Sequence, residues 1–263
     1  MKVSPKKSLG QHFLINPRML DKIVAAAEIT KDDIILEVGP GTGNLTEKLA
    51  TKARKVIAIE KDKRLIEELR NKFRNSNIEI VAGDILKHFD ISKYQSVKEE
   101  GYKIVANIPY YITSRFLRKI FTEWPQPKLV VLTIQKEVAQ RIMAKPPKMN
   151  LLALSVQFFA EPKIIGYISK ENFRPRPKID SALLRIKLRR AQQSKKFTER
   201  FFKIAKAGFS QKRKLLINNL SKKFDIMKKE LLEIFVKIGV NQNIRAESLS
   251  LNQWIELTKY IEK

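Results

Sequence analysis

The stretch Asn107-Ile108-Pro109-Tyr110 contains the residue types that could most directly carry out a reaction. The exocyclic amine of an adenine is a poor nucleophile, because its lone pair is delocalised into the ring. The Asn107 side-chain carbonyl and the Ile108 backbone carbonyl could accept its N–H protons and aim the lone pair at an activated methyl group. Pro109 would fix this loop, and Tyr110 would offer a stacking face. Alone, such a sequence is more often only a turn, so this interpretation needs a methyl donor nearby.

A glycine-rich turn indicates where a donor could bind. The apolar run Ile34–Val38 predicts a buried strand, and a helical pattern begins seven residues later. Between them stand Gly39, Gly41 and Gly43, which allow positive φ and let a ligand approach the backbone. The spacing differs from the G-x-G-x-x-G pattern that binds a pyrophosphate. The carboxylate of Glu37 enters the turn, repels phosphate and suits an ammonium group such as the amino-acid end of S-adenosylmethionine.

Two more carboxylates follow predicted strands. Glu60 ends the strand Val56–Glu60, where a ribose diol could be held, and Asp84 comes just after Ile78–Ala82. Asn107 ends a further strand. Ligands of open α/β sheets bind beyond the carboxyl ends of the strands, so these residues and the glycine turn predict one nucleotide-like site.

The segment Asn172–Lys178 places an aromatic ring among three cations. Pro175 and Pro177 predict a stiff, extended loop. We expect Phe173 to be a partner of Tyr110 for a flipped base, and Arg174 and Arg176 to contact phosphates. A stiff loop would hold Phe173 still, so the two interpretations are compatible.

Charge is the dominant global property of the chain. Its 263 residues include 53 Lys and Arg but 27 Asp and Glu, a net charge of +26. A lysine-rich solvated surface is one explanation, but such an excess favours a polyanionic partner. Cysteine is absent, which excludes disulfides and thiolate metal sites. We expect no membrane span, no metal and a cytoplasmic location.

Alternating strand and helix patterns predict the fold class as α/β, with a parallel sheet covered by helices. The expected strands are Ile35–Val38, Val56–Glu60, Ile78–Ala82, Lys103–Asn107, Leu129–Ile134, Lys163–Ile168 and Ala182–Leu188. Arg185 and Lys187 interleave with apolar residues in the last strand, which is therefore expected to be antiparallel with one wet face.

A polar linker over Ala191–Lys196 predicts two domains, residues 1–190 and residues 197–263. The second is expected to be small, basic and all-helical. Its predicted helices are Thr198–Gly208, Lys212–Leu220, Met227–Ile238 and Leu251–Ile261, the last with a capping box that begins at Ser250. We expect Lys212, Arg213 and Lys214 to bind RNA phosphates.

The chain resembles the rRNA adenine dimethyltransferases of the KsgA type nearly end to end. The resemblance rests on an ordered set of motifs: Leu9–Leu14, Glu37–Gly43, Glu60, Gly83-Asp84, Asn107–Tyr110, Gln135–Ala139, Phe173–Pro177, Asp180–Ala182 and Gly208–Lys214. It implies a Rossmann-like class I methyltransferase domain with a seven-stranded, mostly parallel sheet and a small helical C-terminal domain. The implied reaction moves four methyl groups from S-adenosylmethionine to two adjacent adenosines near the 3′ end of small-subunit (16S) rRNA.

The resemblance also implies roles for individual residues. His12 and Leu14 would close over the cofactor, Glu60 would hold its ribose, and Asn107 would lie at the methyl-transfer region. The cofactor-binding set is His12, Leu14, Glu37, Gly39, Gly41, Glu60, Asp84, Ile85 and Asn107. The expected partner is the small-subunit rRNA in a ribosomal precursor, and the chain is expected to act as a monomer.

Two alternatives remain. A large-subunit rRNA adenine methylase of the antibiotic-resistance type would use the same chemistry. Ile108 fits that branch as well, and Tyr111 stands where a small polar residue is frequent. Gly208–Lys214 and the helical tail favour the small-subunit branch. A non-catalytic RNA-binding assembly or transcription factor is the other alternative, against which the intact Asn107–Tyr110 motif argues.

Overall fold

The computed structural model describes residues 4–87, 89–189 and 193–261. The chain divides into two compact units. The first consists of Met1–Ala139 and Glu161–Leu188, and the second of Gln140–Ala160 and Arg189–Lys263.

Within the described residues, nine strands form two sheets. They are β1 (Phe13–Leu14), β2 (Ile34–Val38), β3 (Lys55–Glu60), β4 (Ile78–Ala82), β5 (Lys103–Asn107), β6 (Leu129–Gln135), β7 (Ala160–Ile168), β8 (Phe173–Arg174) and β9 (Ser181–Leu188). The large sheet has the order β4-β3-β2-β5-β6-β9-β7. The first five of these strands run parallel, and β9 pairs with β6 antiparallel. The predicted seven-stranded, mostly parallel sheet is confirmed.

Burial explains why these segments are strands. All five residues of β2 are buried, as are six of the seven residues of β6, which is typical of parallel strands covered on both faces. In β9, Leu184 and Ile186 are buried, whereas Arg185 is half-buried and Lys187 is exposed. The predicted wet face of this antiparallel strand is therefore confirmed.

The helices follow the strands closely. They are α1 (Pro17–Ala26), α2 (Asn44–Ala50), α3 (Lys63–Lys72), α4 (Gln95–Glu100), α5 (Thr113–Thr122), α6 (Lys136–Ile142), α7 (Leu151–Gln157), α8 (Lys195–Gly208), α9 (Leu216–Phe224), α10 (Lys228–Lys237) and α11 (Leu251–Tyr260). Asn16 and Asp62 cap α1 and α3 through their side chains. No helix in the described ranges is long and apolar enough to cross a membrane.

The small sheet pairs β1 with β8, and sequence analysis missed it. Phe13 lies opposite Arg174 and Leu14 opposite Phe173 in antiparallel register. Strands of two residues show no periodicity, and these two are about 160 residues apart in the chain. The pairing joins the N-terminal segment to the loop that follows β7, which brings both to the same edge of the large sheet.

The second unit is helical, as its sequence pattern predicted, but its composition differs from the predicted domain. It includes residues 140–160, which sequence analysis placed in the first domain, because Phe158 after α7 stacks on Phe201 of α8 with ring centroids 4.3 Å apart. The predicted linker partly lies outside the described residues, and α8 begins at Lys195. The predicted helix Lys212–Leu220 starts only at Leu216. The capping box of α11 is present at Ser250 and Gln253.

Candidate active site

A cleft opens in the first unit beyond the carboxyl ends of β2, β3, β4 and β5. It brings together these predicted site residues: His12, Gly39, Gly41, Glu60, Asp84, Ile85, Asn107, Ile108, Pro109 and Tyr110. It is also lined by residues that we did not predict: Leu9, Gly10, Gln11, Phe13, Val38, Ile59, Lys61, Gly83, Tyr111 and Ile112. The predicted cofactor side and base side therefore share one cavity.

The glycine turn forms one wall of the cleft. Gly39, Gly41 and Gly43 have φ of 70°, 58° and 77°, in the left-handed region that favours glycine. A Cβ at Gly41 would lie 2.7 Å from Cδ1 of Phe13, and a Cβ at Gly43 would lie 2.8 Å from Cε2 of Phe73. A side chain at either position would displace an aromatic ring, so glycine is needed for both conformation and space.

Glu60 ties the glycine turn to the end of β3. Its Oε2 accepts a hydrogen bond from the Gly41 N–H at 3.2 Å, and its Oε1 accepts from the N–H groups of Lys61 and Asp62 at 2.8 Å each. The side chain is buried, and burial raises its pKa although the three backbone donors oppose the rise. Glu60 is thus held rigidly at the cleft wall by backbone groups alone.

Asp84 occupies the equivalent position after β4. Its Oδ2 forms an ion pair with Nζ of Lys61 at 2.9 Å, and its Oδ1 accepts from the Leu86 N–H at 3.0 Å. Burial acts against ionisation, but these hydrogen bonds hold the pKa of Asp84 below its usual value. Asp84 is therefore an ionised acceptor at the cleft, next to the buried side chain of Ile85.

Glu37 lies elsewhere than expected. It does not line the main cleft but a smaller neighbouring cavity, together with Leu14 and Asn107. The side chain is 1% exposed, Oε2 has no hydrogen-bond partner among the described residues, and burial raises the pKa to about 8. Glu37 thus lies in the glycine-turn strand but next to the main cleft rather than on its wall, and its role toward an ammonium group stays a prediction.

Asn107 forms the base side of the cleft with its orientation fixed. Its Nδ2 donates to the backbone carbonyl of His12 at 3.0 Å. The side-chain oxygen has no hydrogen-bond partner in the part of the chain that the structure describes, so it is available to a ligand. Ile108 is buried and Pro109 lines the cleft. The ring of Pro109 restricts the backbone that carries the Ile108 carbonyl.

Tyr110 lies beside His12 in the same cavity. The two rings are stacked with centroids 5.9 Å apart, and the Tyr110 hydroxyl is 2.7 Å from Oγ of Ser181. His12 Nδ1 donates to the carbonyl of Pro175 at 2.7 Å, because a carbonyl can only accept. Burial raises the pKa of Tyr110, so the phenol is neutral. The His12 ring and the Ser181 hydroxyl together position the Tyr110 ring.

The structure does not bring Phe173 or Leu14 to the main cleft. Phe173 is fully buried in the core of the first unit, where it pairs with Leu14 in the small sheet. A base cannot stack on a ring with no accessible surface, so the expected partnership of Phe173 with Tyr110 does not fit this arrangement. Leu14 lines the smaller cavity beside Glu37.

A polar network that sequence analysis missed fastens the N-terminal segment to the cleft. Oδ2 of Asp62 accepts from Nε2 of Gln11 at 3.1 Å and from Nη2 of Arg64 at 2.6 Å, and its Oδ1 accepts from Nε of Arg64 at 3.0 Å. Arg64 also donates to the carbonyl of Ser4. These hydrogen bonds, those of Arg64 first, lower the pKa of Asp62 to about 2. The capping position of Asp62 before α3 was its only signal in the sequence.

The predicted RNA-binding residues are exposed but belong to different units. Arg174 and Arg176 lie in the loop around β8 of the first unit, where Arg176 forms an ion pair with Glu171 at 2.9 Å. Lys212, Arg213 and Lys214 lie in the turn between α8 and α9 of the second unit. Among the described residues, no group of three or more His, Asp or Glu side chains could hold a metal ion.

Comparisons with known proteins identify the family. The family model described as ribosomal RNA adenine dimethylase matches residues 3–263. A protein from Dehalococcoides mccartyi (strain CBDB1) named ribosomal RNA small subunit methyltransferase A is 41% identical over 96% of this chain and 87% of its own length. A protein of the same name from Fusobacterium nucleatum is 39% identical, over 100% of this chain and 99% of its own length.

Solved structures agree with this assignment. A dimethyladenosine transferase from Plasmodium falciparum has a TM-score of 0.79 at 29% identity and covers 94% of this chain and 96% of its own. The 23S rRNA methyltransferase ErmE has a TM-score of 0.77 at 26% identity, and the match covers 95% of this chain and 100% of that one. With its class I methyltransferase fold and its cleft beyond the strand ends, the chain belongs to the ribosomal RNA adenine dimethylase family.

Proposed function

We propose that this chain transfers methyl groups from S-adenosylmethionine to the exocyclic amines of two adjacent adenosines in the 3′-terminal hairpin loop of small-subunit rRNA. Each adenosine would be dimethylated, with S-adenosylhomocysteine as the other product. One observation carries the proposal: Asn107-Ile108-Pro109-Tyr110 lines the same cleft as the glycine turn, Glu60 and Asp84. The relatives named small subunit methyltransferase A support the choice of substrate.

The cleft residues fit this cofactor. Gly39 and Gly41 leave backbone open where side chains would intrude, which suits the methionine end. The two oxygens of the Glu60 carboxyl accept from three backbone donors, and a carboxylate has about four acceptor sites, so a ribose hydroxyl can still bind. Asp84, beside Ile85, is an acceptor for an adenine amine. When bound, S-adenosylmethionine supplies an electrophilic methyl group on its sulfonium.

Asn107 and Ile108 would prepare the nucleophile. The Asn107 amide nitrogen is occupied by the His12 carbonyl, which leaves Oδ1 to accept one N–H of the target amine. The backbone carbonyl of Ile108 would accept the other, and the lone pair would then point away from both carbonyls. No strong base is required, because orientation alone can supply much of the acceleration. Tyr110 would stack on the adenine and keep it in this pose.

The basic residues would bind the rRNA backbone. We propose that five exposed cations contact its phosphates: Arg174 and Arg176 of the first unit, and Lys212, Arg213 and Lys214 of the second. A net charge of +26 supports a large polyanionic partner such as a ribosomal precursor. Such a protein would work as a monomer in the cytoplasm, where ribosomal subunits are assembled.

A large-subunit rRNA adenine methylase is a second candidate, because ErmE matches the whole fold with a TM-score of 0.77. The deciding experiment is transfer of labelled methyl groups to small and large ribosomal subunits that lack the modification, followed by mapping of the labelled nucleotides. Label on two adjacent adenosines of the small subunit is expected. Label only on the large subunit would favour the second candidate, and no label on either would contradict both.

A further inference from the structure

An exposed tyrosine stands at the rim of the cleft. Tyr111 is 52% exposed, whereas Phe13 and Tyr110, the other Phe or Tyr rings that line the cleft, are half-buried. Tyr110 and Tyr111 are consecutive residues of a 3₁₀ turn, Tyr110–Ile112. Side chains of consecutive residues in such a turn point about 120° apart, so one ring faces the cavity and the other faces its mouth.

One side of the Tyr111 ring lies against the N-terminal segment. It packs against Gly10, where a Cβ would lie 3.2 Å from Cδ1 and 3.4 Å from Cε1 of the ring. Gly10 has a φ of 60°, in the region that favours glycine. The N-terminal segment thus supports one side of the ring and leaves the other side to solvent. A fixed aromatic surface loses little conformational entropy when a ligand stacks on it.

Two cations lie near Tyr111. Lys61 lines the same cleft and forms an ion pair with Asp84, and Arg115 lies in the first turn of α5, four residues after Tyr111. Lys61 and Arg115 are both exposed. An aromatic surface flanked by cations is the arrangement by which proteins bind single-stranded nucleic acid, with bases on the ring and phosphates on the cations.

We propose that Tyr111 is a stacking site for the unpaired nucleobase that adjoins the target adenosine, with Lys61 and Arg115 beside the intervening phosphate. The inference rests on the proposed function, since it requires an RNA substrate in the cleft. Two adjacent rings, one inside and one at the rim, match a substrate in which a flipped adenosine is followed by an unpaired neighbour. Tyr111 would then bind the substrate while Tyr110 positions the reacting base.

Steady-state methyl transfer to small subunits lacking the modification tests this site. Tyr111→Leu keeps an apolar side chain against Gly10 but removes the aromatic face. We expect the KM for subunits to rise about tenfold, within the range for loss of one stacked base, with kcat and S-adenosylmethionine affinity unchanged. Tyr111→Phe should retain the wild-type KM. Tyr167→Leu is the matched control, because Tyr167 is also 52% exposed but does not line the cleft.

Photocrosslinking gives an independent readout. With p-benzoylphenylalanine at position 111, irradiation of the complex should attach the protein to the nucleotide next to a methylated adenosine. The inference would be overturned if Tyr111→Leu kept the wild-type KM, if Tyr167→Leu raised KM equally, or if Tyr111→Phe also raised KM. A crosslink to any other nucleotide would overturn it as well. These outcomes differ from failure of the proposed function, in which the wild-type protein itself would methylate no small subunit.

Discussion

The two sides of the cleft are built in different ways. On the cofactor side, Glu60 and Asp84 stand at strand ends and are fixed by contacts with residues near them in sequence or on the adjoining loop. On the base side, Asn107 and Tyr110 are oriented by His12 and Ser181, which lie 95 and 71 residues away in the chain. One side depends on local geometry and the other on long-range packing.

Because of this difference, cofactor binding and methyl transfer should be separable by substitution. The cofactor side should form whenever the sheet forms, because its hydrogen bonds come from the turns that connect the strands. The base side also requires the N-terminal segment, whose His12 carbonyl orients the Asn107 amide. Substitutions on the two sides should therefore affect different steps.

The largest effect is expected for Asn107→Ala. Loss of one preorganised polar contact to a reacting group typically lowers the rate by about two to three orders of magnitude. The variant should still bind subunits, because one loop side chain contributes little to a charge-driven interface. Single-turnover methyl transfer and filter binding measure the two properties, with the exposed Asn71→Ala on α3 as the control. A rate within threefold of wild type would remove Asn107 from the chemistry.

Glu60→Ala should act on the other side. It removes acceptors for a ribose hydroxyl and for the Gly41 N–H, so we expect the affinity for S-adenosylmethionine to fall by about 1–3 kcal/mol. Calorimetry measures this directly. If the two sides are independent, the double variant with Asn107→Ala should show additive effects on kcat/KM within about 0.5 kcal/mol. Strong non-additivity would contradict the separation.

Burial of the Glu37 carboxyl should appear as a pH dependence of the free energy of unfolding. The pKa of Glu37 is raised from 4.5 to about 8, so between these values the folded chain binds one more proton at this site than the unfolded chain. This site therefore lowers the free energy of unfolding as pH rises across that window, by at most about 1.4 kcal/mol per pH unit. Glu37→Gln should remove this loss in urea unfolding between pH 5 and 7.5. The control Glu67→Gln, at an exposed position, should leave the pH dependence of the unfolding free energy unchanged. Equal pH profiles for Glu37→Gln and wild type would contradict the raised pKa of Glu37.

The smallest effect on the cleft is expected from the basic turn before α9. Replacing Lys212, Arg213 and Lys214 by Gln should reduce the slope of log affinity for rRNA against log salt by up to about 2, with kcat and cofactor affinity unchanged. A control that replaces Lys222, Lys228 and Lys229, which are also exposed, removes the same charge elsewhere. If both variants lower the slope equally, net charge rather than this turn binds the RNA.

Local patterns allowed the large sheet to be predicted from the sequence. The central strands β2 and β6 are apolar runs, and β9 shows its wet face through Arg185 and Lys187. Glu60 and Asp84 could be placed at the cleft for a similar reason, since they lie at the ends of strands. Position along the chain is sufficient to place a residue at the carboxyl end of a parallel strand.

The features that were missed depend on contacts between distant segments. Nothing near Phe173 in sequence reveals that it pairs with Leu14 and is buried, and an aromatic ring among cations looks equally suited to stacking. The burial of Glu37 is likewise a tertiary property. The grouping of residues 140–160 with the second unit was not predicted, because the packing of Phe158 on Phe201 of α8 is not visible in either segment alone.

The identity of the methylated product shows whether this cleft dimethylates adjacent adenosines. Small subunits lacking the modification are incubated with the full chain and excess S-adenosylmethionine, the rRNA is digested, and the nucleosides are quantified by mass spectrometry. A cleft that binds the target adenine through Asn107, Ile108 and Tyr110, and admits it again after one methyl transfer, predicts two N6,N6-dimethyladenosines per subunit. Monomethyladenosine as the sole product, or methylation of any other nucleotide, would contradict the account.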